Sequence, residues 1–269
     1  MLRDITLGQY YQADSIIHKL DPRVKLATTL IFIISLFVFD NIAGYAVAAI
    51  FLIIVIKLSK VPFKFMVKGM KAIVFLLLLT VICNLLLTPG EPVVTFWKLT
   101  ITKEGLRLAG LMAVRLSFLI IGSSIMTLTT TPNQLTDAME KMMGPLKKIK
   151  VPVHEIAMMM SIALRFIPIL LEETDKIMKA QIARGADFES GNLVKKAKSM
   201  VPLLVPLFIS AFRRANDLAM AMEARCYRGG EHRTKMKPLH YEHRDYIAYA
   251  IVACYLAAGI AAGKIVGML

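Results

Sequence analysis

Apolar residues in this chain come mainly in uncharged blocks rather than in alternation with polar ones. The blocks cover residues 26–39, 41–56, 72–90, 116–136 and 247–263. A helix needs roughly 20 residues to cross the hydrocarbon, and tilt and snorkelling widen that to about 17–25. The first two blocks are divided only by Asp40 and Asn41, a turn-forming pair, so they read as a tight helical hairpin. The fourth extends back to Gly105 when Arg107 and Arg115 are accepted inside the helix. The pattern predicts an all-α polytopic membrane protein with about five transmembrane helices, four within residues 1–130 and one within 244–269. A sixth apolar run, 199–212, holds Pro202 and Pro206 and lies between Lys195, Lys196 and Lys198 on one side and Arg213 and Arg214 on the other. Positive charge at both ends opposes a crossing, and the prolines and short length suit a helix lying at the membrane surface.

Lysine and arginine set the orientation. Arg3, Lys19, Arg23 and Lys25 precede the first span, and Lys57, Lys60, Lys64, Lys68 and Lys71 stand between the second and third without an acidic neighbour. In the loop at 88–104, by contrast, Glu91 and Glu104 balance Lys98 and Lys103. The N-terminus is therefore expected inside, residues 131–243 in the cytoplasm and the C-terminus outside. No small-residue cleavage site follows the first apolar run, so no removable signal peptide is expected.

Composition agrees with this reading. Hydrophobic residues make up 57% of the 269, against about 45–50% in soluble domains, and the mean hydropathy is +0.60. The formal net charge of +14 is largely explained by the inside-positive loops, so nucleic acid is not needed as a partner. Cys83, Cys226 and Cys254 have no metal-ligand or redox spacing, and no cofactor or metal is expected.

Residues 131–243 are too long for a loop and too apolar for disorder. Pro132 and Pro152 punctuate their start. One helical stretch is predicted from about 153 to 184, bent at Pro168, with Gly185 as its left-handed stop. A second runs from about 194 to 225, ended by Gly229 and Gly230. The two close alike: Ala180-Gln-Ile-Ala183-Arg184 and Ala221-Met-Glu-Ala224-Arg225, 41 residues apart. Alanines three apart leave a smooth face for close approach, and the arginine presents a planar fork of donors at the helix end. An arginine there also simply complements the helix dipole. For one copy that simpler account suffices; the duplication brings docking onto two similar sockets level with it.

These features, taken in order, resemble the transmembrane T component of energy-coupling factor transporters, the CbiQ-like proteins. The resemblance rests on Leu20-Asp21-Pro22-Arg23-Val24-Lys25, Leu164-Arg165-Phe166-Ile167-Pro168, Ala183-Arg184-Gly185 and Glu223-Ala224-Arg225-Cys226-Tyr227-Arg228-Gly229, and it spans nearly the whole chain. It implies that Arg184 and Arg225 dock into two ATP-binding cassette ATPase subunits, within the motifs Ala183-Arg184-Gly185 and Ala224-Arg225-Cys226. Cys226 departs from the family pattern, in which glycine is commoner. The resemblance also implies a small membrane-embedded substrate-binding component, or several interchangeable ones, and a vitamin or a transition-metal ion as cargo.

Other chemistry has little foothold. No GxxxxGK[ST] run exists, so ATP use would belong to a partner; Gly259 to Lys264 is only a near miss. His240 and His243 read as a juxtamembrane polar pair, and His154-Glu155 as a helix start. Of seventeen methionines most are expected to fill core, while Met158, Met159 and Met160 offer an adaptable apolar surface for a substrate-binding subunit. A stand-alone secondary transporter is the alternative; it calls for inverted halves and acidic residues at membrane depth, and neither is present in the sequence. An intramembrane enzyme would rest on Cys83 or Cys254 alone. Arg115 either faces a polar groove or partner helix, or reaches outward along its own.

Overall fold

The computed structural model describes residues 10–39, 41–66, 73–96, 99–186, 188, 192–230, 236 and 238–267. Among the residues used for orientation, Arg3, Asp40, Lys68, Lys71 and Lys98 lie outside these. The elements are α1 (Pro22–Val38), α2 (Ile42–Ser59), α3 (Val74–Leu87), β1 (Pro92–Phe96), β2 (Leu99–Thr102), α4 (Lys103–Thr129), α5 (Pro132–Met142), a 3₁₀ turn (Gly144–Ile149), α6 (Val153–Ala183), α7 (Leu193–Ala224) and α8 (His243–Gly267). The protein is a helical, polytopic membrane protein. Among the described residues, four helices are long and apolar enough to cross a bilayer by length and composition: Ile42–Ser59, Lys103–Thr129, Val153–Ala183 and His243–Lys264, with Val74–Leu86 as a shorter apolar helix.

Three features depart from the sequence expectations. The loop at 88–104 contains an antiparallel hairpin, with Thr95 opposite Thr100 and Phe96 opposite Leu99; its β-branched residues suit a pleated strand. An extra helix, α5, follows the fourth span. It opens with Pro132 in its first turn and a capping box, in which Thr131 N–H donates to Gln134 Oε1 at 3.1 Å and Gln134 N–H to Thr131 Oγ1 at 3.3 Å. The third concerns α6: its length and composition suffice for a span, although Glu172, Glu173, Asp175, Lys176 and Lys179 crowd its second half. Both α6 and α7 run continuously through their internal prolines.

The chain divides into two compact units, one from Gly8–Ala138 with Leu239–Leu269 and the other from Met139–Pro238. In the first, α1, α2, α4 and α8 bury Phe32, Leu36, Phe39, Tyr45, Ile121, Ile125 and Tyr255 together. Lipid is as apolar as these side chains, so close packing rather than water expulsion must hold the helices, and small residues allow it. The Phe39 ring occupies the space a Cβ would take at Gly259 and crowds Gly44, while Phe32 fits against Gly122. The stretch that resembles a phosphate loop is thus the interior of α8, with Gly259 serving as a notch for Phe39. Phe51 stacks on Tyr255 at 4.4 Å, whose hydroxyl shares a 2.7 Å hydrogen bond with Ser35.

The Asp21-Pro22-Arg23 segment ties the first helix to the last. Asp21 is the N-cap of α1: its Oδ1 accepts from Arg23 N–H at 2.8 Å, and Pro22 stands where a missing N–H costs nothing. The Arg23 guanidinium returns to both Asp21 oxygens, at 3.0 and 2.8 Å, and lies 4.0 Å over the Tyr241 ring. Asp21 N–H donates in turn to the buried Asp245 carboxylate at 2.9 Å, and Glu242 N–H donates to the other Asp245 oxygen at 2.8 Å. Asp245 therefore caps α8 while gripping α1.

Arg115 reaches outward. Its Nε donates to Tyr45 Oη at 2.6 Å and its Nη2 to Phe39 O at 3.5 Å, so the cation sits at the carbonyl end of α1, where the helix dipole favours it. The two sequence alternatives merge here, since the side chain reaches a partner helix by extending toward the hairpin turn.

Candidate functional site

The two arginine-bearing helix ends share one backbone design. At the end of α6, Gly185 N–H donates to Ile182 O at 2.9 Å and Ala186 N–H to Gln181 O at 3.0 Å. At the end of α7, Cys226 N–H donates to Glu223 O at 2.8 Å and Tyr227 N–H to Met222 O at 3.0 Å. Both are Schellman motifs. Gly185 has φ +87° and Cys226 has φ +56°, so the cysteine adopts the left-handed conformation the motif requires. The second helix consequently stops at Cys226, before the glycine pair expected to end it. Arg184 and Arg225 are the equivalent C-cap residues, with φ/ψ of −88°/6° and −93°/14°. They are exposed, as are Ala180, Ala183, Gly185, Ala221, Ala224 and Cys226. Each end thus presents an arginine beside a small-residue face.

Contacts within the same unit fix how α6 and α7 lie against each other. Gln181 Nε2 donates to Pro202 O at 3.5 Å. Glu173 accepts from the Ser210 hydroxyl and from Arg214 Nη2 at 3.0 Å. Beyond the end of α7, Gly230 sits so close to His154 that a Cβ there would strike the imidazole. As one residue number rises its partner's falls, so the pair is antiparallel. On this register Arg184 and Arg225 lie at opposite ends, separated by roughly 25 residues of helix, or about 38 Å at ~1.5 Å per residue. Glu173 and Arg214 form a clasp between them, eleven residues before Arg184 and Arg225 respectively.

The Arg225 end has further support. His154, at the start of α6, bonds through Nδ1 to Glu140 Oε1 of α5 at 2.9 Å, which holds the ring against which Gly230 packs. Met158–Met160 follow one turn along α6, about level with Arg225. Met158 is half-buried, while Met159 and Met160 are 59% and 38% exposed.

Electrostatics in the membrane unit centre on Lys25, which precedes the apolar run of α1. Its Nζ donates to His18 O at 3.0 Å and to Thr129 O, at the end of α4, at 2.9 Å. Burial pushes this ammonium down to about 8, against the opposing pull of Asp21 and Asp245. Burial likewise lowers His18, whereas the Asp21 carboxylate raises Arg23. In the sequence Lys25 counts as an inside-positive residue and as the end of the Leu20–Lys25 segment; its role as a buried cap depends on a carbonyl 104 residues away. Glu173, Ser210, Arg214 and Glu140 also go unmarked by any sequence motif, and His154 is marked only as part of a helix start.

Comparison with known proteins places the chain in a family. The CbiQ family, described as cobalt transport protein, matches residues 13–236. A protein of Clostridium kluyveri called energy-coupling factor transporter transmembrane protein is 59% identical over 250 residues, covering 92% of this chain and 93% of its own. Counterparts of the same name in Thermosediminibacter oceani and Bacillus subtilis are 54% and 48% identical, covering 96% and 91% of this chain and 97% and 93% of their own. From the Asp21 cap to the paired arginine ends, the chain belongs to the CbiQ family, the family of energy-coupling factor transporter transmembrane proteins.

Proposed function

We propose that this chain is the non-catalytic coupling subunit of an ATP-driven micronutrient importer. Two ATP-binding cassette subunits dock on the helix ends at Arg184 and Arg225, one on each. The N-terminus and residues 131–243 lie in the cytoplasm, and the C-terminus lies outside. ATP binding and hydrolysis in the docked pair move α6 and α7, which lean on a membrane-embedded substrate-binding component, with Met158–Met160 in the contact. A vitamin or transition-metal ion is released inside. The observation carrying this reading is that two helices from one unit end in the same Schellman geometry, each presenting an exposed arginine beside exposed alanines. One such end is ordinary helix capping; two matched ends, set at opposite ends of an antiparallel pair, suit a dimer of related sockets.

The test is co-purification of the tagged chain from its native membrane, read by mass spectrometry. Two related ATPases and a small hydrophobic protein are expected. Arg184→Glu with Arg225→Glu should strip the ATPases, because both sockets lose a donor and gain repulsion. Alanine at Met158–Met160 should lose the small protein first. ATPase retention and uptake unchanged in the double arginine variant would refute the docking assignment.

A further inference from the structure

Between α1, α2, α4 and α8 lies a cavity of about 210 Å³. Side chains such as Phe32, Phe51, Val55 and Ile125 form much of its wall. A void so lined offers water few hydrogen-bond partners, and apolar cavities of about 150 Å³ stay dry yet accept hydrocarbon. The polar wall groups, Lys25, Thr28, Thr29, Thr129 and Arg244, cluster toward one end, where α1 and α8 begin and α4 finishes; the charged ones are Lys25 and Arg244. Along one side the wall is open, since Ile54 of α2 and Ile251 of α8 both line the cavity and stand half exposed, at 50% and 51%. In a bilayer that opening faces acyl chains.

We propose that the cavity takes one acyl chain of an anionic phospholipid, entering between α2 and α8, with its phosphate held by Arg244 and Lys25. Two of the three Lys25 N–H donors are bound to carbonyls, and the third serves the phosphate. Arg244 gives Nε and Nη2 to Glu242, which leaves its Nη1 donors for the lipid. Lys57, in the last turn of α2, and Lys60, its C-cap, add positive charge at the same end. Basic pockets between membrane helices on the cytoplasmic side suit anionic headgroups.

The test measures phospholipid retained by the full chain, purified with whatever partners accompany it, equilibrated in nanodiscs of phosphatidylglycerol and phosphatidylcholine, then extracted back into detergent and washed. About one phospholipid per chain should survive washing, with phosphatidylglycerol enriched over its share in the disc. Ala248→Phe places a ring in the cavity and should cut retention roughly fivefold or more. Arg244→Gln should retain a lipid but lower the phosphatidylglycerol preference about fivefold, one cation's worth. Thr29→Leu fills the opposite wall with less bulk and gives the same reading should Ala248→Phe elute as aggregate. Wild-type chain without stoichiometric lipid, or retention unchanged in a monodisperse filled variant, would overturn the proposal. So would a filled variant that keeps its lipid but loses a co-purifying membrane protein, for the cavity would then be a protein interface.

Discussion

Opening the clasp between α6 and α7 should separate ATP hydrolysis from transport. Glu173 holds Arg214 at 3.0 Å and also accepts from Ser210, with the Glu173 and Arg214 side chains 23% and 41% exposed. An ion pair this exposed contributes about 0.5–1 kcal/mol, and the Ser210 hydrogen bond about 1 kcal/mol. Glu173→Ala should therefore loosen the pair by about 1–2 kcal/mol, enough to separate the helices part of the time while leaving both capped ends intact. A double-mutant cycle on Glu173→Ala and Arg214→Ala, read by chemical unfolding in detergent, should return a coupling energy of about 0.5–1 kcal/mol. In proteoliposomes carrying the full complex, Glu173→Ala should hydrolyse ATP at close to the wild-type rate but import less substrate per ATP, because force applied at one arginine is no longer passed to the other helix. Coupling near zero in the cycle, or an unchanged ratio of import to hydrolysis, would refute the clasp as the transmitting contact.

Three further outcomes follow from local geometry. Cys226→Gly should stabilise the end of α7 by about 0.5–1 kcal/mol and Gly185→Ala should weaken the end of α6 by a similar amount, since only glycine adopts positive φ without strain; hydrogen exchange at the amides of 186 and 227 reads both, and equal exchange in variant and parent would contradict the motif. Asp245→Ala leaves the Asp21 N–H unpaired at a buried site, at about 1–3 kcal/mol, and removes the partner of the part-buried Glu242 N–H, so the fraction surviving a heat step as monodisperse protein should fall; survival equal to wild type would discount the link. For Lys25 the folded value of about 8 lies below the ordinary 10.5, so between those pH values the unfolded chain binds the additional proton and stability rises with pH. The gap corresponds to about 3 kcal/mol at ~1.4 kcal/mol per tenfold, present as a penalty below pH 8, and Lys25→Met should flatten this rise; parallel pH profiles would count against a strained buried ammonium.

The sequence was most informative where one residue type carries the physics alone. Uncharged runs mark the membrane helices because hydrocarbon excludes charge, and Gly185 marks a helix stop because other residues resist its φ. Arg184 and Arg225 stand out because they repeat, and the structure gives both the same C-cap geometry. Cys226 misled, since the demand for a left-handed residue was met by a side chain that bears the strain, and the glycine pair at Gly229 and Gly230 looked the better stop. Gly230 serves instead as the close approach to His154. The hairpin at 92–102 carried a signal in its valines and threonines that a loop reading passed over. Glu173 and Arg214 could not be paired from the chain, because helix packing chooses among many charged residues of similar spacing. Lys25 and Asp245 show the same limit: each looks like a surface charge until a distant segment supplies its partner.

The link from Asp21 to Asp245 also bears on how the protein is made. Its partners are 224 residues apart, and synthesis at about 5–20 residues per second puts roughly 11–45 s between their emergence from the ribosome. Throughout that interval the first helix stands in the membrane without the carboxylate that accepts its Asp21 amide. The early helices must therefore be sheltered by the insertion machinery or persist as a loose bundle until the last one arrives. A nonsense codon ahead of residue 243 would leave them unlatched, marked for membrane quality-control proteases rather than merely shortened.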